Sequence, residues 1–493
     1  MPMPYYMGVD IGTTSVKAIA FGEAGEIICR QSVNYGMLHP QPGYSEQDPD
    51  EIFAAVTLSI NRVIEQLQPL QPAFISFSAA MHSFIAVDNR CEPLTHCIIW
   101  ADNRAAGVAD GLLSTPQGEW LYHTTGVPVH AMSPLCKMIW LKKQQPAIFQ
   151  QTYKFIGIKE YVFYKLFGTY AVDTAIASAT GLLNTLSLQW DASVLQLAGI
   201  GADRLSTVVP VEEIFYTKPL ASLPALAAAT PVIIGGSDGA LATLGAGSTS
   251  GSALSVTIGT SAAVRILSDQ PATEKDMSIF CYHALDEKYI IGGASNNGAV
   301  VIQWIRDSLL QTTESYHDLF SLAEQIHAEM DELLFIPYIL GERAPVWNSN
   351  AKGIFFGFTV NHNKAHLIRA AMEGITFNLY SIGRLIMQIV PVTEIYAAGG
   401  FAQNAAWLQL LADVFNCKVL VSGSPEGSAL GAVMVGIKAL QLPVQIQPPV
   451  VAAYHPNPLY HDSYQKQFQR FERLYKMLKN EFSPRSHPIP IPA

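Results

Sequence analysis

The sequence predicts an α/β protein in which one type of domain occurs twice. Strand-like runs alternate with helical segments along most of the chain. In addition, one strand–turn–strand pattern occurs near the N-terminus and again about half the chain later. A chain of 493 residues is long enough for two domains with separate cores.

The repeated pattern has the chemistry of a phosphate-binding hairpin. Residues 7–20 read MGVDIGTTSVKAIA, and residues 253–266 read ALSVTIGTSAAVRI. In both, glycine permits a tight turn and a close backbone approach, and the hydroxyl residues add hydrogen-bond donors. One copy alone would be an ordinary hairpin, whereas two copies favour duplicated halves that bind one nucleotide from opposite sides. Asp10 corresponds to Thr257, so only the first hairpin offers a carboxylate to Mg²⁺.

Composition excludes several classes of function. The net charge is −10 without a basic run, which argues against a nucleic-acid partner. No apolar run reaches the roughly 18 residues of a membrane helix, and residues 1–6 lack the basic segment of a signal peptide. The six cysteines are scattered without a Cys-x-x-Cys pair, and the histidines lack zinc-ligand spacing. We therefore expect a cytoplasmic protein with reduced thiols and neither a membrane nor a nucleic-acid partner.

Local signals predict the elements of the first half. The chain opens with three short apolar strands. Asp48 and Pro49 are typical of the N-cap and first position of a helix. The predicted elements are strands 6–10, 16–21, 27–35 and 73–78, with a helix from 49 to about 66.

In the second half, strands and helices are again predicted to alternate after the second hairpin. Small-residue and proline-rich stretches at 219–230 and 245–251 predict a seam, which gives an N-terminal domain over 1–245 and a C-terminal domain over 246–493. The amphipathic stretch 462–480 is expected to dock on the second domain, and the proline-rich end 483–493 to be loosely ordered. The other predicted elements are strands 335–339, 394–398 and 418–421 and helices 366–390 and 403–415.

An acidic residue follows the buried strand within residues 231–239, PVIIGGSDG. Asp238 at the carboxyl end of this strand is suited to accept a hydroxyl proton during phosphoryl transfer. The alternative is that Ser237 or Asp238 only caps the helix that begins near Ala240. Two further turns, Gly399-Gly400 and residues 424–432, expose backbone and a helix N-terminus that suit a nucleotide.

Two polar segments of the first half predict a polyol site. Residues 77–83 read FSAAMHS, and residues 100–104 read WADNR. An aromatic face combined with bidentate polar groups is typical of sugar binding. The alternatives are an interior role for His82 and a core role for Trp100.

These residues resemble the FGGY family of carbohydrate kinases over residues 9 to about 438. Residues 132–144, MSPLCKMIWLKKQ, match one family signature. Residues 353–373 match a second, except that Phe358 stands where a smaller aliphatic residue is usual. The resemblance implies duplicated ribonuclease-H-like domains, as in actin, hexokinase and the heat-shock chaperones, with a cleft between them. It also implies an enzyme that uses ATP and Mg²⁺ and closes over its substrates to exclude water.

The resemblance assigns roles by position. Asp238 would be the catalytic base and a metal residue, and Asp10 would orient Mg²⁺ through water. Together with the polyol and charge arguments, the candidate substrate residues are Met81, His82, Ser83, Trp100, Arg104, Lys137, Lys159 and Asp238. Nucleotide residues would be Thr13, Thr14, Lys17, Gly259, Thr260, Ser261, Gly399, Gly400 and Asn404.

Three segments favour a sugar acid over a pentulose. Family members acting on pentuloses usually carry Met-His-Gly where residues 81–83 read MHS, and residues 157–161 (GIKEY) and 177–181 (ASATG) look more like members acting on gluconate. Basic residues could complement the acid group. These are Arg104, Lys137, Lys159 and Arg343. The alternative is local pairing with carboxylates such as Asp102, Glu160 and Glu342.

The expected reaction is ATP-dependent phosphorylation of a sugar acid at a primary hydroxyl, D-gluconate giving 6-phospho-D-gluconate. A xylulose kinase is the alternative within the family. A non-catalytic actin-like scaffold or sugar-sensing regulator is the alternative outside it, and the intact Asp10 and Asp238 argue against that reading. The expected partners are the sugar acid and ATP, with a homodimer as a compatible assembly.

Overall fold

A computed structural model describes residues 5–326 and 332–482. Strands and helices alternate through both described ranges. The strands are β1 (Tyr5–Ile11), β2 (Ser15–Phe21), β3 (Ile27–Asn34), β4 (Glu46–Gln47), β5 (Pro72–Ala79), β6 (Ile85–Val87), β7 (Cys97–Ile98), β8 (Lys154–Ile156), β9 (Ala171–Asp173), β10 (Thr207–Val209), β11 (Ile214–Tyr216), β12 (Pro231–Ser237), β13 (Ala253–Ile258), β14 (Ala262–Ser268), β15 (Phe280–Leu285), β16 (Lys288–Ser295), β17 (Leu334–Pro337), β18 (Gly353–Phe356), β19 (Glu394–Ala398), β20 (Lys418–Ser422) and β21 (Val450–Tyr454). The α-helices are α1 (Pro49–Leu67), α2 (Ala106–Leu113), α3 (Pro116–Thr125), α4 (Pro134–Gln144), α5 (Pro146–Gln151), α6 (Ile158–Phe167), α7 (Thr174–Ser178), α8 (Ala192–Ala198), α9 (Asp238–Gly245), α10 (Ala299–Trp304), α11 (Tyr316–Glu324), α12 (Lys364–Met387), α13 (Ala405–Phe415), α14 (Gly427–Ala439) and α15 (Pro458–Leu478).

The chain divides into two compact units. Unit 1 comprises Met1–Ser250, Leu267–Ile291 and Gly423–Pro449. Unit 2 comprises Gly251–Ile266, Gly292–Ser422 and Val450–Ala493. Two segments of the second half of the sequence thus belong to unit 1, and the division of the chain into continuous domains at 245/246 stays a prediction.

Unit 1 is built on one mixed sheet with the strand order β11-β12-β5-β1-β2-β3. The opening strands form an antiparallel meander, β1 with β2 and β2 with β3. β1 is parallel to β5, and β5 is parallel to β12. Because parallel strands bring their carboxyl ends to one edge, the ends of β1, β5 and β12 meet there.

Unit 2 repeats this pattern. β13 is antiparallel to β14 and parallel to β19, which is parallel to β20. β21 closes the edge of this sheet in antiparallel register with β20. The same arrangement of a hairpin followed by two parallel strands occurs in both units, so the prediction of a duplicated α/β fold is confirmed.

Local chemistry accounts for the main element boundaries. Asp48 caps α1 by accepting hydrogen bonds from the N–H groups of Asp50 and Glu51, and Pro49 occupies the first helical position. The apolar stripe of α15 is buried on α12 and α13 through residues such as Phe468 and Phe471. The prediction that this helix docks on its own domain is therefore confirmed, while residues 483–493 lie outside the described residues.

The structure also bears on the expectations of reduced thiols and of no membrane-spanning helix. All six cysteines are free, buried thiols. Among the described residues, no helix combines the length and apolar character that crossing a bilayer requires.

Candidate active site

The first hairpin is held rigidly by hydrogen bonds from neighbouring elements of unit 1. Gly12 N–H donates to the carbonyl of Ser15 at 3.0 Å, which closes the turn between β1 and β2. The indole N–H of Trp100 donates to Thr13 Oγ1 at 3.0 Å, and Gln47 donates to the Thr13 carbonyl at 2.5 Å. Thr13 is half-buried and Thr14 is exposed. The turn thus presents its backbone on a fixed frame, as phosphate binding requires.

Asp10 lies at the end of β1, next to this turn. Its Oδ1 accepts a hydrogen bond from Ser78 Oγ at 2.9 Å. Burial and, to a smaller extent, the negative charge of Asp238 together raise the pKa of Asp10 to about 7. The two carboxylates are therefore close enough to repel one another, and a bound cation would relieve that repulsion.

Asp238 is the first residue of α9, directly after β12. Ser237 is the N-cap, because its hydroxyl accepts a hydrogen bond from Ala240 N–H. The Asp238 carboxylate is half-buried, and its Oδ1 accepts from Gly239 N–H at 2.7 Å. Capping is therefore done by Ser237, and Asp238 stands at the positive end of the helix dipole.

A glycine makes this placement of Asp238 possible. Gly235 has a φ of +65°, and a Cβ there would lie 1.7 Å from the Phe77 carbonyl oxygen. The pairing of β12 with β5 shifts register between Ile233 and Gly236. This bulge redirects the strand just before Ser237 and Asp238.

Glu426 joins the first hairpin, although sequence reasoning assigned it no role. Its Oε2 lies 2.8 Å from Lys17 Nζ on β2, and its Oε1 lies 2.7 Å from Arg30 on β3. Ser428, in the first turn of α14, donates to the Asp238 carbonyl at 3.4 Å. The N-terminal end of α14 thus lies against both Lys17 and Asp238. The only sequence signal for this was the predicted helix N-terminus at residues 424–432.

Of the three segments that favour a sugar acid, residues 81–83 contact both of the others. Ile158 N–H donates to Ser83 Oγ at 2.9 Å, and the His82 ring Nδ1–H donates to the Ala179 carbonyl at 2.9 Å. Met81 packs beside them in an apolar cluster. A cavity of about 30 Å³ lies between the segments, lined in part by His82, Ser83, Gly157, Glu160 and Thr180.

The predicted basic residues are engaged with local partners. Arg104 forms ion pairs with Asp102 and Glu46, and its guanidinium lies 3.9 Å above the Tyr44 ring. The local pairing considered as an alternative therefore occurs for Arg104 and Asp102. Arg343 lies in unit 2, where it donates to the Ser295 carbonyl at 3.4 Å.

Two buried lysines differ in how their ammonium groups are used. Lys137 Nζ donates to the carbonyls of His82, Ile98 and Ile99, at 2.6, 3.2 and 2.8 Å. Lys159 Nζ lies 2.5 Å from Asp173 Oδ2 and donates to the Gly236 carbonyl at 3.0 Å. Its partner is thus Asp173 rather than the neighbouring Glu160.

The second hairpin is similarly braced within unit 2. Gly259 N–H donates to the Ser261 carbonyl at 2.9 Å. Ala299 and Val300, at the start of α10, donate to the carbonyls of Gly259 and Thr260 at 2.7 and 3.3 Å. The turn is therefore fixed by the first turn of a helix.

A cavity of about 420 Å³ adjoins this hairpin and contains several of the predicted nucleotide residues. Thr260, Gly400 and Asn404 line it, and Asn404 also caps α13 by accepting from Trp407 N–H at 2.8 Å. Gly399 has a φ of +96°, and a Cβ there would lie 2.6 Å from the Ile258 carbonyl oxygen. The walls are largely aromatic and apolar, which suits a flat base.

Most of these walls could not be found from the sequence. They come from α10, α11 and α13, whose apolar residues have the same spacing as core residues. The additional lining residues are Ala299, Val300, Ile302, Gln303, Tyr316, His317, Phe320, Phe401, Gln403 and Trp407.

A phosphate hairpin in each unit, an acidic residue at a strand end and an apolar pocket for a base define a nucleotide-dependent phosphotransferase. Residues 5–245 match the N-terminal domain, and residues 254–440 the C-terminal domain, of the FGGY family of carbohydrate kinases. The chain belongs to this family. It is therefore a carbohydrate kinase that uses ATP, with the ribonuclease-H-like fold of actin and hexokinase.

Individual relatives carry more specific names. A gluconokinase from Bacillus licheniformis is 44% identical over 448 residues, which cover 88% of this chain and 87% of that protein. A xylulose kinase from Staphylococcus epidermidis is 29% identical, covering 96% and 97%. The crystal structures of a gluconate kinase and of a ligand-bound xylulose kinase, both from Lactobacillus acidophilus, each match with a TM-score of 0.93 and 33% identity. They cover 97% and 98% of this chain and all of each of those chains.

Proposed function

We propose that the protein phosphorylates D-gluconate with ATP at the terminal primary hydroxyl, giving 6-phospho-D-gluconate and ADP. The observation that carries this proposal is the contact of residues 81–83 with both 157–161 and 177–181, since these are the three segments that favour a sugar acid. The higher identity to a gluconokinase than to a xylulose kinase supports the same substrate.

In the proposed reaction, Asp238 acts as the general base. Its carboxylate takes the proton of the primary hydroxyl while that oxygen forms a bond to the γ-phosphorus of ATP. The bond between the γ-phosphorus and the β,γ-bridging oxygen breaks, and the electron pair leaves with ADP. The N-terminus of α9 holds the Asp238 carboxylate in place through Gly239 N–H.

The residues around the first hairpin fit a magnesium ion that is held mainly by phosphate and water. Mg²⁺ usually needs only one or two protein carboxylates, and Asp10 and Asp238 supply them. Burial and mutual repulsion raise the pKa of Asp10, so its charged form is unfavourable until a cation balances it. When bound, the ion would neutralise phosphate charge, while Ser78 keeps the Asp10 carboxylate oriented.

Among the predicted basic residues, Lys159 is the candidate for binding the carboxylate of the sugar acid. An ammonium group has three N–H donors. Lys159 uses two of them on Asp173 and the Gly236 carbonyl, and Gly236 lies two residues before Asp238. The third donor is the one we assign to the substrate.

Each unit holds candidate nucleotide-binding residues. Thr13, Thr14, Lys17, Gly259, Thr260 and Ser261 would contact phosphates, and Gly399, Gly400 and Asn404 would contact adenosine. We infer a cytoplasmic location from the six free thiols, which suit a reducing compartment.

A coupled ADP-release assay over gluconate, xylulose, ribulose and glycerol tests the proposed function. We expect the highest kcat/KM with gluconate. Faster turnover of xylulose than of gluconate would identify a xylulose kinase instead. Turnover of none of them would contradict the proposed substrate class.

A further inference from the structure

We propose that Lys137 is a positioning residue for the acceptor sugar: its ammonium group joins the two backbone segments that carry His82 and Trp100, and it does not itself bind the substrate. The inference rests on the proposed function only in taking His82 and Trp100 to line the sugar site.

The hydrogen bonds of Lys137 exclude a direct contact with the sugar in this geometry. Its side chain is completely buried on α4. The three N–H groups of its ammonium match three main-chain acceptors, the carbonyls of His82, Ile98 and Ile99. No donor remains for a ligand, so Lys137 acts through the backbone that it holds.

The first segment needs this support because its backbone is unusual. His82 has a φ of +66°, in the left-handed region that residues other than glycine rarely adopt because it strains the backbone. The bond from Lys137 fixes the carbonyl of this residue at 2.6 Å. In this conformation the imidazole donates to the Ala179 carbonyl. The orientation of the His82 ring therefore depends on the peptide that Lys137 holds.

The second segment connects the sugar site to the first phosphate hairpin. The Ile99 carbonyl accepts from Lys137 and also from Asp102 N–H at 3.2 Å. The next residue, Trp100, donates its indole N–H to Thr13 Oγ1. One ammonium group thus fixes both the aromatic residue of the sugar site and, through it, a hydroxyl of the phosphate turn.

The electrostatic cost of this arrangement argues against a space-filling role. Burial lowers the pKa of Lys137 to about 7, although Asp102 and Cys97 act in the opposite direction. A methionine would fill a similar volume without burying a charge. Retention of an ammonium here is explained by the three carbonyl groups that it orients.

The test compares Lys137→Met with Lys143→Met, which removes an exposed lysine from the same helix. We expect Lys137→Met to raise KM at least about 10-fold for every acceptor sugar, because a misplacement of about 1 Å can cost about 100-fold. KM for MgATP should rise by a smaller factor, less than about 3-fold, because Lys137 acts on the phosphate turn only indirectly, through Trp100 and one hydroxyl of Thr13. Lys143→Met should match the wild type.

Three outcomes overturn the assignment. If kcat falls while both KM values stay unchanged, a smaller fraction of the protein is active, and the role of Lys137 is purely structural. A rise in KM for gluconate but not for xylulose indicates direct binding of the carboxylate. If Lys137→Met does not fold, Lys137→Gln, which keeps an amide donor, is compared in the same way, and failure of both to fold also indicates a structural role. A preference of the wild-type enzyme for xylulose contradicts the proposed substrate only, since the comparison of KM values holds for any acceptor.

Discussion

Glu426 at the start of α14 forms an ion pair with Lys17 on β2, with 2.8 Å between Oε2 and Nζ. The carboxylate is 7% exposed and the lysine 34%, and Arg30 contacts the other carboxylate oxygen. Glu426 therefore determines where the Lys17 ammonium lies relative to the first phosphate hairpin. This contact connects α14 to the strand that continues directly from the hairpin turn.

The Lys17–Glu426 pair predicts coupled effects on nucleotide binding. Lys17→Met and Glu426→Gln should each raise KM for MgATP by about 3- to 10-fold, because charge-assisted hydrogen bonds contribute about 1.5–3 kcal/mol and the exposure of Lys17 reduces that contribution. In the double variant, the loss of free energy calculated from KM for MgATP should be smaller than the sum of the losses in the two single variants. Steady-state kinetics would give this difference as a coupling energy. Arg30→Met is the matched control, since Arg30 is 53% exposed and should have little effect. Strict additivity of the Lys17 and Glu426 effects would show that the pair is not functionally coupled.

Replacement of Asp238 should slow the phosphoryl-transfer step and leave the affinity for the sugar nearly unchanged. Asp238→Asn should lower kcat by about 10²- to 10⁴-fold, the usual contribution of positioned proton transfer. The amide oxygen can still accept from Gly239 N–H, so the start of α9 should persist. Isothermal titration should give a sugar affinity near that of the wild type, and the exposed Asp110→Asn serves as the control. Retention of more than about a tenth of wild-type kcat would contradict the assignment of the base.

The dependence of activity on Mg²⁺ concentration should show whether Asp10 is a metal-binding residue. Asp10→Ala should raise the Mg²⁺ concentration for half-maximal activity about 10-fold or more, because Mg²⁺ uses few protein carboxylates and Asp238 alone would remain. The measurement is a Mg²⁺ titration at fixed ATP and saturating sugar. Ser78→Ala, which removes only the hydrogen bond to Asp10, should give a smaller shift in the same direction. An unchanged titration curve for Asp10→Ala would place the ion elsewhere.

The sequence predicted features that depend on neighbouring residues and missed those that depend on distant ones. The capped start of α1 at Asp48 and Pro49 is encoded within a few residues, so its position was predicted. Asp238 was also predicted, because a strand end marks it locally. The partner of Lys17 lies 409 positions away along the chain, and no local pattern indicates that contact.

The buried lysines illustrate the same limit. Charge alone suggested that Lys137 and Lys159 face an anionic substrate, because a sequence gives the charge of a side chain but not its acceptors. Three backbone carbonyls surround Lys137, and a backbone acceptor has no signature in the sequence. The carboxylate next to Lys159 is supplied by Asp173 at the end of β9, whereas the adjacent Glu160 bonds to Gly157 N–H.

The pH dependence of stability should report on Glu160. Burial raises its pKa to about 7, although the hydrogen bond from Gly157 N–H acts in the opposite direction. Because the folded pKa lies above the unfolded value of 4.5, the stability contributed by this group is full below pH 4.5 and is lost as pH rises to about 7. Glu160→Gln should therefore gain stability relative to the wild type between pH 5 and pH 8, by up to about 3 kcal/mol at 1.4 kcal/mol per pKa unit. Denaturant unfolding of both proteins at the two pH values checks this, and parallel pH profiles would show that Glu160 is ionised throughout.

Discrimination between acidic and neutral sugars should depend on Lys159. Lys159→Met should raise KM for gluconate about 10- to 100-fold, because a carboxylate bound by a buried ammonium gains about 1.5–3 kcal/mol. A neutral sugar such as xylulose has no carboxylate and does not make this contact. Its KM should therefore change much less. The variant leaves Asp173 as an unpaired buried charge, so Lys159→Met/Asp173→Asn is the better-folded comparison. Lys165→Met, a half-exposed lysine on the same helix, is the control. Equal losses on gluconate and xylulose would mean that Lys159 supports the Gly236 carbonyl and the strand before Asp238 rather than the substrate.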